Sequence, residues 1–120
     1  MRIHHLALRT RDVTGLARFY EEVVGLALVK RADAPGGSVW LDAEGVVVMI
    51  EEAMATEPAV AHATMELTAA FTIAPSERTF FEDRLTKAGV IVEARTAYTL
   101  YFRDPDGRRI GVSAYPDPFG

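Results

Sequence analysis

Apolar residues in this chain recur with two different periods, and the order of those periods is used twice. Residues 3–9 alternate loosely, as a half-buried strand does. Val13, Leu16, Ala17, Tyr20, Val23 and Val24 then fall close to the 3.6-residue period, which predicts a helix over 12–24. Asp12 supplies an N-cap, and Gly25 stands where a left-handed C-terminal residue stops such a helix. Strands follow at Leu26–Arg31, at Ser38–Asp42 around Trp40, and at Val46–Glu51, which is β-branched. The turns between them are Ala34-Pro35-Gly36-Gly37 and Ala43-Glu44-Gly45.

Residues 53–61 hold Pro58 and small side chains without any period, and read as a linker. The first order then returns. Residues 64–73 are strand-like, and Pro75-Ser76 opens a helix with Ser76 as the expected N-cap and Glu77 in its first turn. Phe81, Leu85 and Ala88 share one helical face, and Gly89 ends the helix. Val90–Ala94, Thr99–Arg103 and Arg109–Tyr115 are the expected closing strands. Between the last two lies Asp104-Pro105-Asp106-Gly107, where Pro105 presets φ, Asp104 bonds its own backbone, and Gly107 accepts positive φ. Phe19-Tyr20-Glu21-Glu22 answers Phe80-Phe81-Glu82-Asp83, and Gly89 follows Gly25 by the 64 residues that separate Ser76 from Asp12. The expectation is one domain, 1–120, made of module one (2–52), the linker (53–61) and module two (62–116). A module with one helix cannot cover both faces of its sheet, so each sheet must pair with another, within the chain or across a dimer.

Composition narrows the chemistry. At 120 residues, 49% hydrophobic and 25% charged, the chain is of ordinary globular type. Its net charge of −4 is spread without a basic stripe, which argues against a nucleic-acid partner. The absence of cysteine excludes disulfides, thiolate metal sites and a cysteine nucleophile, and fits a cytoplasmic location. Met1–His5 carries no signal-peptide pattern, and the apolar run Val46–Ile50 is too short for a membrane span. No G-x-S-x-G or G-x-x-x-x-G-K motif occurs.

Five segments in this order and spacing carry a resemblance: His4-His5-Leu6-Ala7-Leu8 before Asp12, Phe19-Tyr20, Val24-Gly25-Leu26, Lys87-Ala88-Gly89-Val90, and Tyr101-Phe102-Arg103-Asp104-Pro105-Asp106-Gly107. Over residues 2–116 the chain resembles the vicinal oxygen chelate superfamily of glyoxalases, bleomycin-resistance proteins and extradiol dioxygenases. The resemblance implies an α+β fold, two βαβββ modules whose curved mixed sheets enclose a cavity, and a homodimer. In the metal-using members it also implies a divalent ion held by four strands, with coordination sites left for substrate oxygens.

Transferred position by position, the first ligand matches His5 and the second, at the end of the fourth strand, matches Glu51. The third matches Thr68 or Ala69, and the fourth, four positions after Gly107, is Gly111. Thr68 is no usual ligand for this chemistry and Gly111 has no side chain, so His5 and Glu51 are left as a remnant pair, and no metal or other cofactor is assigned. Glu66, on the strand face of Thr68, is a conceivable substitute, and His62 reads as a linker histidine. The plain readings are that His5 is a satisfied interior histidine and Glu51 a solvated strand end. Trp40, Met49, Glu66, Thr68, Tyr101 and Gly111 complete the candidate cavity lining, with Tyr98 and Phe102 as core or lining. Arg103, Arg108 and Arg109 flank the last turn, either solvated or placed to recognise an anion. The resulting expectation is a protein that binds or sequesters a small organic ligand. The alternatives are a divalent-metal-dependent glyoxalase-like lyase, isomerase or dioxygenase, and a pairing module without ligand.

Overall fold

Asp12 begins the first helix as its side chain allows: Oδ1 accepts the Gly15 N–H at 3.0 Å. In the computed structural model, residues 1–32, 37–60 and 64–120 are described, so residues 34–36 of the expected first turn, and His62, lie outside the described residues. The strands and helices are β1 His5–Thr10, α1 Val13–Arg18, β2 Ala27–Arg31, β3 Val39–Ala43, β4 Val46–Glu52, β5 Leu67–Thr72, α2 Arg78–Lys87, β6 Ala94–Arg95, β7 Thr99–Arg103 and β8 Arg109–Ser113. The chain divides into two compact units, Met1–Ala59 and Val60–Gly120. Each is one mixed four-stranded sheet with the same strand order, β1-β4-β3-β2 in the first and β5-β8-β7-β6 in the second. The repeat read from the sequence is therefore a repeat of topology: the first strand of each unit pairs in parallel with its fourth.

In the first unit α1 packs on β1 and β4. Leu16, Ala17, Phe19, Tyr20 and Val24 are buried with Leu8, Val39, Leu41, Val48 and Ile50. Helix α1 gives way to a wider π-helical turn over Phe19–Val24, which ends at Gly25 with φ 99°. The helical pattern of 12–24 therefore covers two kinds of helix; the wider winding buries both Phe19 and Tyr20, neighbours that a 3.6-residue turn would splay apart. Glu44 and Gly45 have φ 52° and 99°, the pair of positive angles a two-residue β-hairpin needs, and the Gly45 N–H donates to Asp42 Oδ1 at 3.1 Å.

In the second unit the ring of Phe81 lies 5.8 Å from that of Phe102. With Leu85, Leu100, Ile110 and Val112 they form a core in which each side chain contributes roughly 1.5–3 kcal/mol of transfer free energy. Gly107, φ 95°, closes the turn by donating to Asp104 O at 2.9 Å. Asp104 Oδ1 accepts from the Asp106 and Arg108 N–H groups at 2.9 and 3.0 Å.

Four boundaries differ from the sequence reading, each for a local reason. Ser76 is not an N-cap: it lies inside a 3-10 turn, Pro75–Glu77, whose cap is Ala74 and which makes no side-chain cap bond. Pro75, with preset φ and no N–H, is the better opening residue. The strand expected at 90–94 shrinks to Ala94–Arg95, because the Val90 N–H is used by Leu85 O at 2.9 Å to close α2. Strand β5 starts at Leu67 rather than 64, since Thr64 Oγ1 accepts the Glu66 N–H at 3.2 Å in a local turn. Strand β8 stops at Ser113, where Asp117 N–H bonds Ala114 O and the chain turns. No helix among the described residues is long and apolar enough to cross a membrane.

Candidate functional site

Each sheet has one face turned to its helix and one face turned away, and strand alternation sorts the residues between them. In the first sheet Leu8, Leu41, Val48 and Ile50 take the helix side. The other face carries His5, Ala7 and Arg9 of β1, Val47, Met49 and Glu51 of β4, and Trp40 and Asp42 of β3. Four of the expected lining residues, His5, Trp40, Met49 and Glu51, thus share a face. Trp40 and Met49 are direct register partners. Lys30 Nζ lies 5.1 Å from the Trp40 ring centroid, and Trp40 Nε1 donates to Ser38 Oγ at 2.9 Å.

The same register keeps His5 and Glu51 apart. His5 stands opposite Val47, and Glu51 opposite Arg9. Four residues along a strand is roughly 13 Å at about 3.3 Å per residue. Arg9 instead takes the carboxylate, its Nη1 donating to Glu51 Oε2 at 3.1 Å, while its Nη2 lies 2.6 Å from Glu57 Oε1. That hydrogen bond from Arg9 holds the Glu57 carboxyl down at about 2 and raises the guanidinium above its ordinary range. His5 is exposed, its Nδ1 2.9 Å from His4 Nδ1 and the two rings edge to face. Sequence reasoning passed over Arg9, although its alternation with His5 and Ala7 puts it on their face.

In the second sheet Leu100, Phe102, Ile110 and Val112 take the helix side. The other face carries Thr99, Tyr101 and Arg103 of β7, Arg109, Gly111 and Ser113 of β8, and Ala70 and Thr72 of β5. Thr68 falls at the irregularity between Leu67 and Ala69, and Glu66 precedes the strand. Tyr101 and Gly111 are register partners. A Cβ on Gly111 would lie 2.8 Å from Leu100 O, 3.4 Å from Thr99 Cγ2 and 3.4 Å from Tyr101 Cδ1. The Tyr101 ring therefore lies against the position where a ligand side chain would begin.

The three arginines of the last turn separate into three environments. Arg108 is buried, its Nη1 3.1 Å from Asp104 Oδ2 and 3.0 Å from Asp106 Oδ2. Arg103 grips Glu93 through Nε at 2.6 Å and Nη2 at 2.8 Å, and its Nη1 donates to Thr64 O and Gly107 O. This pairing lowers the Glu93 carboxyl and raises Arg103. Arg109 lies with its guanidinium carbon 4.1 Å from the Tyr101 ring centroid, and its buried Nε has no hydrogen-bond partner among the described residues.

These donors do not fit the divalent metal that the resemblance implies. One imidazole stands on the first sheet, while the second offers a threonine hydroxyl and a glycine at the matching positions. Among the described residues no group of three or more His, Cys, Asp or Glu side chains is arranged to hold an ion. The βαβββ order, the topology repeated in both units and the Asp-Pro-Asp-Gly hairpin agree with a family model described as the Glyoxalase/Bleomycin resistance protein/Dioxygenase superfamily, which matches residues 2–112. The chain belongs to this superfamily.

Solved structures share the fold. The fosfomycin resistance protein FosX of Mesorhizobium loti is similar at 18% identity and a TM-score of 0.76, over 93% of this chain and 90% of that one. A lactoylglutathione lyase of Agrobacterium tumefaciens is similar at 22% identity and 0.70, over 95% and 93%. A mutant FosX of Listeria monocytogenes, complexed with Mn(II) and 1S,2S-dihydroxypropylphosphonic acid, is similar at 17% identity and 0.74, over 94% and 91%. No curated protein matches the chain. At position 111, where the resemblance implies a last-strand donor, this chain has a glycine in register with Tyr101.

Proposed function

We propose that this chain binds a small organic molecule against the sheet faces turned away from its helices, without a protein-coordinated metal, and sequesters it. The observation that carries the reading is Gly111, whose Cβ position is closed by Leu100 O at 2.8 Å. A site that had merely lost a carboxylate would leave room for one. Half-buried Trp40 and Met49 on the first sheet, and separately Tyr101 on the second, supply apolar and aromatic surface of the kind that small-molecule sites use. The proposal extends to a homodimer, in which sheets pair to enclose the ligand, in the reducing cytoplasm that a cysteine-free chain suits.

The test is elemental analysis of native protein, together with a thermal-shift screen of small organic molecules with and without EDTA. Metal well below one ion per chain, with ligand-induced stabilisation that EDTA leaves unchanged, supports the proposal. A stoichiometric Mn, Fe, Ni or Zn ion overturns it in favour of a metal-dependent lyase, isomerase or dioxygenase. Loss of that ion on replacing His5 and Glu51 together would place such an enzyme's centre on the first sheet.

A further inference from the structure

We infer that Arg109 is the anion-recognition residue of this chain and that its ligand is an organic oxyanion, held by the guanidinium that lies on Tyr101. The inference deepens the proposed function and rests on it. Three arginines border the same hairpin, and the structure tells them apart. Arg108 has two carboxylates, and Arg103 has one carboxylate and two carbonyls. Arg109 has the face of an aromatic ring at 4.1 Å and feels the charge of Glu93, the carboxylate that Arg103 grips, but its Nε is buried without a hydrogen-bond acceptor among the described residues. Buried N–H groups are almost always paired, and a guanidinium can be neither deprotonated nor turned into an acceptor. An oxygen acceptor is what this group lacks.

The surroundings say what shape of acceptor fits. A guanidinium presents its N–H groups as a planar fork that matches a planar, two-oxygen group, and the Tyr101 ring 4.1 Å away packs against it. Arg109, Gly111 and Ser113 share one face of β8, and Ala70 stands opposite Gly111 on β5. Leu67 of β5 stands opposite the cation itself; further along the two strands come the glycine and the alanine, with the hydroxyls of Ser113 and Thr72 beyond, which are themselves register partners. The glycine does two things at once. It lets the Tyr101 ring cross the strand, and the ring then carries Arg109. A fixed protein cation thus occupies the face on which the matching donor position holds no ligand side chain.

The full chain, labelled with 15N, is titrated with benzoate, phenyl phosphate and the neutral benzamide, following the arginine Nε–Hε signals by NMR. The Arg109 signal is assigned by its loss in Arg109→Lys. Saturable displacement of that signal by benzoate or phenyl phosphate, with none from benzamide at equal concentration, is the expected result, and the better of the two anions identifies the oxyanion. Arg109→Gln is expected to weaken anion binding at least ten-fold. Arg18→Gln, an equal charge change on the exposed face of α1, is expected to stay within two-fold. If Arg109→Gln does not fold, the benzoate and benzamide titrations of the native chain decide alone. Equal displacement by benzamide, anion binding that leaves the Arg109 Nε–Hε signal in place, or no saturable response to any probe overturns the inference. In the first two cases metal-free ligand binding still stands; only a stoichiometric metal removes that reading.

Discussion

Gly111→Ala separates a glycine that is required from one that is merely tolerated. In most strands this change is favourable by roughly 0.5–1 kcal/mol, because alanine restricts the unfolded chain and packs. Here the new methyl carbon would sit 2.8 Å from Leu100 O, and 3.4 Å from both Thr99 Cγ2 and Tyr101 Cδ1. The two side chains can yield by a few tenths of an ångström. Leu100 O cannot, because Leu100 pairs with Val112 in the ladder between β7 and β8. Overpacking of this kind costs about 1–3 kcal/mol, which exceeds the usual gain and leaves a net loss of roughly 0.5–2 kcal/mol. An unfolding entropy near 2.1 cal/mol/K per residue makes each kcal/mol worth about 4 °C in a chain of this length, so the melting temperature should fall by about 2–8 °C. Scanning calorimetry of the two proteins measures it. A variant as stable as the parent, or more stable, refutes the reasoning, and with it the claim that the last-strand donor position is sterically closed.

Three further outcomes follow from the same geometry. Phe102→Ala, at a fully buried ring 5.8 Å from Phe81, should cost about 3–5 kcal/mol in denaturant unfolding, and a loss under 1 kcal/mol would contradict the packing. Asp104→Ala removes the acceptor of two backbone N–H groups and one partner of the buried Arg108, and should cost about 2–4 kcal/mol. Asp104→Asn, which keeps the Oδ1 acceptor, should cost clearly less; equal losses would show that the turn bonds are idle. Acid should destabilise the fold from about pH 4.5 downward, because Glu57 is held near 2 in the folded chain against 4.5, and Glu82 and Glu93 are also lowered. The unfolded chain takes up these protons first, so the contribution is complete above about 4.5 and gone below about 2. Urea midpoints between neutral pH and pH 3 should fall in the parent and fall less in Glu57→Gln.

The fold was legible because its signals are local. Helical spacing, an Asp cap and a glycine stop located the first helix. Proline and glycine located the hairpin at Asp104–Gly107, and two equal runs of elements exposed the repeat. What failed at the boundaries depended on which backbone group bonds which. The helix pattern of 12–24 cannot distinguish an α turn from the π turn that seats Phe19 beside Tyr20, since both bury residues at nearly the same spacing. Val90 reads as strand by its β-branched side chain, yet its N–H is already used to close α2. The answering pair Phe19 and Phe80 shows where repeat reasoning stops: the first is buried and the second is 72% exposed.

The site was less legible, and the reason is register. Alternation along one strand states which residues share a face, and it grouped Val47, Met49 and Glu51 as the structure does. It says nothing of how far along a neighbouring strand each one stands, and β1 and β4 are joined in parallel across more than thirty intervening residues. One residue of slip reverses a face, and two residues move a carboxylate by roughly 7 Å. His5 and Glu51 could thus be paired on paper, while in the sheet Arg9 stands opposite the glutamate and takes its charge. The glycine at 111 posed the opposite problem. Its lack of a side chain was plain in the sequence, but an absent donor does not reveal what fills its place. Only the pairing of Tyr101 with Gly111, set by a hairpin whose turn was legible, brings the ring beside the glycine, and the Arg109 guanidinium carbon lies 4.1 Å from that ring's centroid.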